Sequence, residues 1–253
     1  MSAHLPRWPY PRVIAHRGGG SLAPENTLAA IRKGRALGFG GVEFDVMLAA
    51  DAIPVLIHDE TLERTTSGRG AVAQTPLAEL EALDAGSWFS AAFSGEPVPS
   101  YADAVRLCLD LGIWANVEIK PAAGAERETG RIVAAMSAEL WRGMRDLPLL
   151  SSFSVAALEA ARTAAPRLAR GLLVGPVESG WRQTVEQLGC LSLHCDHSQL
   201  TAGQVSEVRS AGHALCCYTV NDPGRARELF SWGVDAIFTD RLDLIEADMG
   251  APM

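Results

Sequence analysis

Short apolar segments rich in β-branched residues alternate along the chain with longer alanine- and leucine-rich segments of helical character. This alternation predicts repeated βα units and a parallel sheet. The predicted strands are 12–15, 41–46, 53–57, 114–119, 147–151, 169–174, 190–193, 214–220 and 234–238. Because residues 47–52 are too few for a crossover helix, we expect the second and third segments to form one strand with a local extension. Eight strand positions then remain, as in a (β/α)8 TIM barrel.

Helix starts can be read from capping residues. Ser100 with Asp103 and Thr201 with Gln204 resemble capping boxes, and Asp222 before Pro223 supplies a cap and a first-turn proline. Each of these starts lies before an alanine- or leucine-rich segment, which supports the alternation of strands and helices.

The segment from about 60 to 99 departs from the alternation. It contains SGRG, a short helix-like LAELEAL, then DAGSWF and a proline-bounded GEPVP. We interpret it as a small insertion after the second strand, lying over one end of the barrel. Its aromatic residues Trp88, Phe89 and Phe93 could form the core of the insertion or a partner surface, and the general burial of aromatic side chains favours the core.

Length and composition agree with one soluble barrel domain over 1–253. Single α/β barrels commonly have about 250 residues, and the 48% hydrophobic content is that of a globular protein. Thirty acidic residues against 22 basic ones give a net charge of -8. This charge argues against nucleic acid, or an anionic membrane surface, as the main partner.

Cysteine usage and the N-terminal sequence predict a cytoplasmic protein. The five cysteines form no CxxC pair, so neither a disulfide framework nor a structural zinc site is indicated. The N-terminus lacks an apolar signal-like region, and no segment reaches the roughly 20 apolar residues needed to span a bilayer. We therefore expect no stable membrane association.

Titratable residues follow several predicted strands. In a barrel of this kind the working residues lie at the C-terminal strand ends and in the βα loops. Five separate segments supply such groups, namely His16 with Arg17, Glu43 with Asp45, His58 with Asp59, Glu118 with Lys120, and Asp240. These groups are therefore expected to meet at one rim of the barrel.

Glu43 and Asp45 are two residues apart on a predicted strand, so both side chains point to the same face. Two carboxylates held close together repel each other, and a hard cation such as Mg2+ or Ca2+ removes that penalty, with Glu118 as the third ligand. An isolated Glu-x-Asp on a strand more often belongs to a structural ion-pair network. The presence of Glu118 and two strand-end histidines favours the metal site.

His16 and His58 each follow a strand, and imidazole is the side chain best suited to proton transfer near neutral pH. The two rings could divide the roles of acid and base. The remaining histidines are expected to be structural or surface residues outside the site, and they are His4, His194, His197 and His213.

Arg17 and Lys120 could supply positive charge for phosphate oxygens, one as a bidentate fork and the other as a point charge. The following Gly18, Gly19 and Gly20 would let the backbone approach a phosphate, although a lone GGG equally describes a flexible turn.

Four motifs in order, IAHRGGGSLAPENTLAAI, GVEFDVMLAADAIPVLIHDETLERTT, ALDAGSWF and VEIKP, closely resemble the glycerophosphodiester phosphodiesterase family, particularly its bacterial cytosolic members. The tail YTVND with GVDAIFTDRLD is similar to the seventh and eighth strands of the family. Two positions depart from the family pattern. Tyr218 stands where tryptophan is frequent, and Ala52 stands where glycine is common.

The resemblance implies the (β/α)8 barrel with an insertion after the second strand. It also implies roles for individual residues: Glu43, Asp45 and Glu118 as ligands of one divalent cation, His16 and His58 as acid and base, and Arg17 and Lys120 as phosphate contacts. Tyr218 could stack on the glycerol or the head group. The cation would be Mg2+ or Ca2+, with Mn2+ also compatible.

The expected reaction is hydrolysis of a small-molecule glycerophosphodiester, a deacylated phospholipid head group, to sn-glycerol 3-phosphate and an alcohol. The resemblance suggests that the glycerol 2-hydroxyl attacks phosphorus to give a cyclic phosphate, which water then opens. Direct attack by water would use the same residues.

Two other functions fit parts of the sequence. A phospholipase C- or D-like enzyme acting on intact lipid would share the fold and the paired histidines, but no basic amphipathic helix or secretion signal is evident. A catalytically silent barrel that binds phosphate esters is the other alternative, because fold alone does not guarantee activity.

Overall fold

The computed structural model describes residues 8–250, which form a closed barrel surrounded by helices. The strands are β1 (Val13–Ala15), β2 (Gly41–Leu48), β3 (Pro54–Leu56), β4 (Trp114–Ile119), β5 (Leu149–Ser152), β6 (Ala169–Leu173), β7 (Ser192–Asp196), β8 (Ala214–Tyr218) and β9 (Ala236–Thr239). The helices are α1 (Leu28–Ala36), α2 (Leu77–Leu80), α3 (Tyr101–Leu111), α4 (Glu126–Leu140), α5 (Val155–Ala164), α6 (Trp181–Leu188), α7 (Ala202–Ser210) and α8 (Pro223–Trp232).

Eight strands pair in parallel, and β1 closes the barrel by pairing with both β2 and β9. The remaining strand, β3, lies outside the barrel and pairs antiparallel with the end of β2, where Val46 is opposite Leu56. The predicted (β/α)8 fold is therefore confirmed, and the predicted local extension is an antiparallel hairpin. After β9 the described chain forms turns, so no helix follows the last barrel strand within residues 8–250.

The predicted helix starts are confirmed. Ser100 caps α3 by accepting a hydrogen bond from the backbone N–H of Asp103, and Thr201 with Gln204 forms a complete capping box on α7. The side chain of Asp222 accepts from the backbone N–H of residue 225, next to the first-turn proline of α8. These caps satisfy N–H groups that have no partner within the helix, and they fix where each helix leaves its βα loop.

The main hydrophobic core lies between the strands and the surrounding helices, and α4 packs closely on α5. At the N-terminal end of the strands, an aromatic cluster fills the barrel mouth. Trp8 and Tyr10 pack on Trp114, and the rings of Tyr10 and Trp114 stack with centroids 4.4 Å apart. Apolar side chains therefore close the interior of the barrel at this end.

The insertion 60–99 contains one 3-10 turn (Val72–Gln74), then α2, then a second 3-10 turn (Ala91–Phe93). Its core consists of aliphatic side chains, including Leu62, Val72 and Leu80, which pack on Met47 of β2. The expectation that its aromatics form this core is wrong. Trp88 is 42% exposed, and it forms with Phe89 and Phe93 a separate edge-to-face group, because the short α2 turns leucines inward instead.

None of the helices in residues 8–250 combines the length and the apolar character that crossing a bilayer requires.

Candidate active site

A cavity of about 250 Å3 opens at the C-terminal ends of the strands. It contains all eight side chains that the sequence predicted for the site, from five strands or the loops that follow them. These residues are His16, Arg17, Glu43, Asp45, His58, Glu118, Lys120 and Tyr218. The structure therefore brings the predicted set together, as the barrel fold requires of strand-end residues.

Three of these side chains form an acidic cluster. Asp45 and Glu118 are paired neighbours on β2 and β4, and Glu43 lies two residues before Asp45 on the same face. One carboxylate oxygen from each residue lies within 4.8 Å of the others. The Oε1 atom of Glu43 is buried and has no hydrogen-bond partner among the described residues. A buried carboxylate oxygen without a partner is costly, and a cation would satisfy it.

The electrostatics of the cluster agree with that interpretation. Burial, together with the neighbouring charge of Asp45, raises the pKa of Glu118 to about 8. Burial and the charges of Asp45 and Glu118 also raise the pKa of Glu43 well above its ordinary value. The protein alone therefore disfavours the ionised forms of Glu43 and Glu118. Three carboxylates are the oxygen ligands that Mg2+ and Ca2+ prefer, so the residues present fit a hard divalent cation.

The loop after β1 holds two of the carboxylates in place. The backbone N–H of Arg17 donates to Glu43 Oε2 at 2.9 Å. Asn26 makes a reciprocal pair with Asp45: its side-chain N–H donates to Asp45 Oδ2 at 2.8 Å, and its Oδ1 accepts from the backbone N–H of Asp45 at 3.0 Å. Arg17 and Asn26 both adopt left-handed backbone, with φ of 49° and 57°. Such strain is commonly retained where it positions a site.

Each of the two histidines is held by a carboxylate at Nδ1. His16 Nδ1 lies 2.7 Å from Asp240 Oδ1, and His58 Nδ1 lies 2.6 Å from Asp59 Oδ1. A carboxylate at Nδ1 fixes the tautomer and leaves Nε2 as the atom that can exchange a proton. His16 Nε2 lies 3.9 Å from Glu43 Oε2, so this atom is turned toward the acidic cluster.

The surroundings of these histidines shift two pKa values. Burial lowers the pKa of His58 below its ordinary value, although the charge of Asp45 acts in the opposite direction. Burial alone would raise the pKa of Asp240, but the hydrogen bond and charge of His16, the hydrogen bond from Asn221 and the charge of Arg17 together hold it below its ordinary value. His58 is therefore neutral at neutral pH, and Asp240 is ionised.

The two predicted cations lie beside the carboxylates. Arg17 Nε is 3.7 Å from Asp45 Oδ2, and it is buried without a hydrogen-bond partner among residues 8–250. Lys120 Nζ is 3.6 Å from Glu118 and 3.9 Å from Asp45. Both groups therefore have donors that a phosphate oxygen in this cavity could use.

The insertion reaches the rim through Arg64. Its guanidinium donates to Asp59 at 2.5 Å and to both carboxylate oxygens of Glu25 at 2.8 Å. Glu25 in turn accepts from Arg17 at 2.8 Å. The insertion is thus linked through hydrogen bonds both to the partner of His58 and to the cationic Arg17.

Tyr218 lies at the end of β8, and its hydroxyl donates to the backbone carbonyl of Val174. Its ring packs edge-to-face with Phe153, with centroids 6.0 Å apart. Because the hydroxyl is held by the backbone, the tyrosine presents mainly its ring to the cavity.

One histidine was assigned wrongly from the sequence. His194 was expected to lie outside the site, but it is fully buried on β7 and lines the cavity. His197 bonds the backbone carbonyl of Thr219, and His213 packs on Trp181, so neither lines this cavity. His4 lies outside the described residues.

Sequence analysis assigned no role to three polar residues of the site, Glu25, Asn26 and Arg64. The first two belong to the PENT motif, so the motif itself was a signal that they matter. Arg64 had no local signal, because its partners Asp59 and Glu25 are brought to it only by the path of the insertion.

Comparison with known proteins agrees with this geometry. The sequence profile of the glycerophosphoryl diester phosphodiesterase family matches residues 16–244. A glycerophosphodiester phosphodiesterase of Caldanaerobacter subterraneus subsp. tengcongensis is 35% identical over 230 residues, which are 90% of this chain and 93% of that protein.

Solved structures show the same relationship. A phosphodiesterase of Oleispira antarctica in complex with the product sn-glycerol-3-phosphate is 41% identical with a TM-score of 0.88, covering 94% of this chain and 96% of that one. A glycerophosphodiester phosphodiesterase of Agrobacterium tumefaciens is 28% identical with a TM-score of 0.77, covering 94% and 99%. The resemblance of the motifs is confirmed. The chain belongs to the glycerophosphoryl diester phosphodiesterase family and is an enzyme of that family.

Proposed function

We propose that this protein hydrolyses water-soluble glycerophosphodiesters to sn-glycerol 3-phosphate and an alcohol, using a divalent cation held by Glu43, Asp45 and Glu118. The observation that carries the proposal is the meeting of three carboxylates, two carboxylate-bound histidines and two cationic side chains in one cavity. A homologue with the product sn-glycerol-3-phosphate bound supports the same substrate class.

The cation, Mg2+, Ca2+ or Mn2+, would act as a Lewis acid on the phosphate and offset the charge of the carboxylates. Arg17 and Lys120 contribute the remaining positive charge, which matters most when charge accumulates on the phosphoryl oxygens. Because both groups already lie within 4 Å of the acidic cluster, they need little reorganisation to contact a phosphate there.

His16 and His58 perform the proton transfers. One ring removes a proton from the attacking hydroxyl at Nε2, and the other gives a proton from Nε2 to the leaving alcohol oxygen. Asp240 and Asp59 stabilise whichever ring is protonated. If the glycerol 2-hydroxyl attacks first, the rings exchange roles when water opens the cyclic phosphate. If water attacks directly, each ring transfers one proton and the rings do not exchange roles.

The test uses chelator-treated protein and glycerophosphocholine, with released sn-glycerol 3-phosphate measured through its dehydrogenase. Mg2+, Ca2+ and Mn2+ are added back separately. We expect metal-restored release, and we expect His16→Ala and His58→Ala to lower kcat by about 100-fold or more. His213→Ala is the matched control, because this half-buried histidine does not line the cavity.

Two results would contradict the proposal. Wild-type kcat in either histidine variant would remove that ring from the mechanism. Release of no sn-glycerol 3-phosphate with any of the three metals, repeated with ethanolamine, glycerol and inositol diesters, would favour an enzyme that cleaves intact lipid.

A further inference from the structure

His194 lies deep in the active-site cavity, although no step of the proposed mechanism uses it. It is fully buried on β7, two residues before the strand ends at Asp196. The strand beside it makes room for the ring, because a Cβ on Gly171 would lie 2.5 Å from His194 Nε2 and 2.9 Å from Ser192 Oγ. The floor of the cavity is therefore built around this imidazole.

One ring nitrogen of His194 has a partner and the other does not. Nε2 lies 2.8 Å from Ser192 Oγ. Nδ1 is buried and has no hydrogen-bond partner within residues 8–250. Burial lowers the pKa of the ring to about 3, so the ring is neutral at neutral pH. A buried polar atom without a partner is rare, and in a cavity wall it indicates a group that a ligand or a water satisfies.

Asn116 presents a second atom of this kind in the same cavity. Its side-chain N–H donates to Ser151 Oγ at 2.9 Å, and its Oδ1 is buried without a partner in the described part of the chain. It lies two residues before Glu118 on β4, as His194 lies two residues before the end of β7. Both neutral groups thus lie below the strand-end residues, roughly 6 to 7 Å along the strand.

The chemistry of these two atoms selects the part of the substrate that they can bind. A neutral imidazole and an amide oxygen do not attract a phosphate, whereas Arg17 and Lys120, which line the same cavity, carry the positive charge that does. A hydroxyl group can both donate and accept, so it can satisfy Asn116 Oδ1 together with His194 Nδ1. In a glycerophosphodiester, the glycerol hydroxyl farthest from phosphorus is such a group.

We propose that His194 and Asn116 bind the terminal hydroxyl of the glycerol moiety and so determine that the protein acts on glycerol diesters. This inference rests on the proposed function. It assigns His194 to substrate specificity, with no part in proton transfer.

The experiment is a cycle between enzyme variants and substrates. One substrate is glycerophosphocholine. The other is its analogue with the terminal hydroxyl replaced by hydrogen, which keeps the 2-hydroxyl and the phosphocholine. We expect wild-type kcat/KM to favour the glycerol substrate by about 10-fold or more, because losing the hydroxyl leaves buried polar groups unpaired.

Two variants of similar size separate the ring atoms. His194→Asn places an amide near the position of Nδ1, whereas His194→Gln places it near Nε2 and keeps a partner for Ser192. We expect the glycerol preference to fall close to 1 in the Gln variant and to be largely retained in the Asn variant. Asn116→Leu removes the other group and should also lower the preference. Thermal unfolding shows whether each variant is folded, and Asn116→Leu serves as the test if a His194 variant is not.

Equal losses of kcat/KM on both substrates in the Gln variant and in Asn116→Leu would overturn the proposal. The two groups would then bind a water or only stabilise the barrel. Calorimetric binding of sn-glycerol 3-phosphate and of propane-1,2-diol 1-phosphate gives a second readout without turnover. If the wild type binds sn-glycerol 3-phosphate more tightly but cleaves no diester, the proposed function fails and the role of His194 stands. If the wild type cleaves diesters and shows no preference, only the role of His194 fails.

Discussion

At the scale of single residues, each of the two histidines that we propose as acid and base has one carboxylate partner. Asp240 directly follows the last strand of the barrel and reaches His16, which directly follows the first, so the bond exists only when the barrel is closed. It also accepts from the Asn221 side chain at 3.2 Å, which holds the carboxylate from its other side. The position of His16 is therefore determined by the loop after β9 as much as by its own strand.

We predict that Asp240→Asn lowers kcat for glycerophosphocholine by at least about 10-fold with little change in KM, because the amide no longer stabilises the protonated ring or enforces its tautomer. Asp243→Asn is the matched control. This carboxylate lies in the same loop, is bound by the exposed Arg241 and does not line the cavity. Steady-state kinetics of both variants check the prediction, and equal kcat values for them would remove the role of Asp240.

The sequence revealed cavity residues that can be recognised from their type and spacing, and it concealed those whose contacts depend on the folded chain. His16 was recognisable because it directly follows a strand, where the barrel fold alone predicts a shared rim, and Glu43 because it shares a strand face with Asp45. Asn26 was not, because its bond to Asp45 depends on a left-handed turn in the loop after β1. His194 was left outside the site with the other histidines expected to be structural or surface residues, although it directly follows the predicted strand 190–193. The observed strand continues through it to Asp196, and this register brings its ring to the cavity wall.

At the scale of elements, all nine predicted strands exist, and the differences lie at their ends. The strand predicted at 190–193 is observed at Ser192–Asp196. Cys190 belongs to the turn that follows α6, and the polar end of β7 is held by pairing with β8. Such polar strand ends carry no hydrophobic signal, and they are also where the barrel places site residues.

The hairpin turn between β2 and β3 contains one unfavourable residue. Ala52 has φ of 60°, a left-handed conformation that costs an alanine roughly 1 to 2 kcal/mol. It is exposed, and it is the position where the family commonly has glycine. Glycine relieves the strain but has more freedom in the unfolded chain, which offsets about 0.4 to 1 kcal/mol of the gain.

We predict that Ala52→Gly raises the free energy of unfolding by up to about 1 kcal/mol, or the Tm by roughly 2 to 4 °C. Ala50→Gly is the matched control, because Ala50 is exposed in the same turn without a left-handed φ. In Ala50→Gly, the added freedom of the unfolded chain should lower the Tm. Thermal unfolding of both variants in the same buffer checks this. A lower Tm for Ala52→Gly would contradict the prediction, because the left-handed backbone at residue 52 would then cost less than the added freedom of the unfolded chain.

At the scale of the whole molecule, alternating βα units were enough to predict a closed barrel, because parallel strands that all alternate with helices have few other arrangements. The path of the insertion was not predictable. Its aliphatic core and its exposed Trp88 depend on packing against β2 and not on any local periodicity. For this reason the link from Arg64 to Glu25 became visible only in the assembled molecule.

The barrel as a whole bears the cost of bringing three carboxylates together. Glu118 has a pKa of about 8 in the folded protein, against an ordinary value of 4.5. Since the folded state holds this proton more tightly than the unfolded chain, the stability of metal-free protein should fall as pH rises toward and through 8. Below about pH 6.5 the lowered pKa values of His58 and His194 act in the opposite direction, so the effect is clearest between pH 6.5 and 8.5.

We predict that the Tm of chelator-treated protein rises as the pH is lowered from about 8.5 to about 6.5. Each proton that only the folded state holds adds at most about 1.4 kcal/mol to the free energy of unfolding per pH unit. Adding Mg2+ at pH 8 should raise the Tm, since a cation that binds only the folded protein stabilises it. Glu118→Gln carries no titratable group there, and it should show a flatter pH dependence and a weaker response to Mg2+. Parallel curves for the two proteins, with equal responses to Mg2+, would mean that Glu118 neither holds the extra proton nor contributes to the cation site.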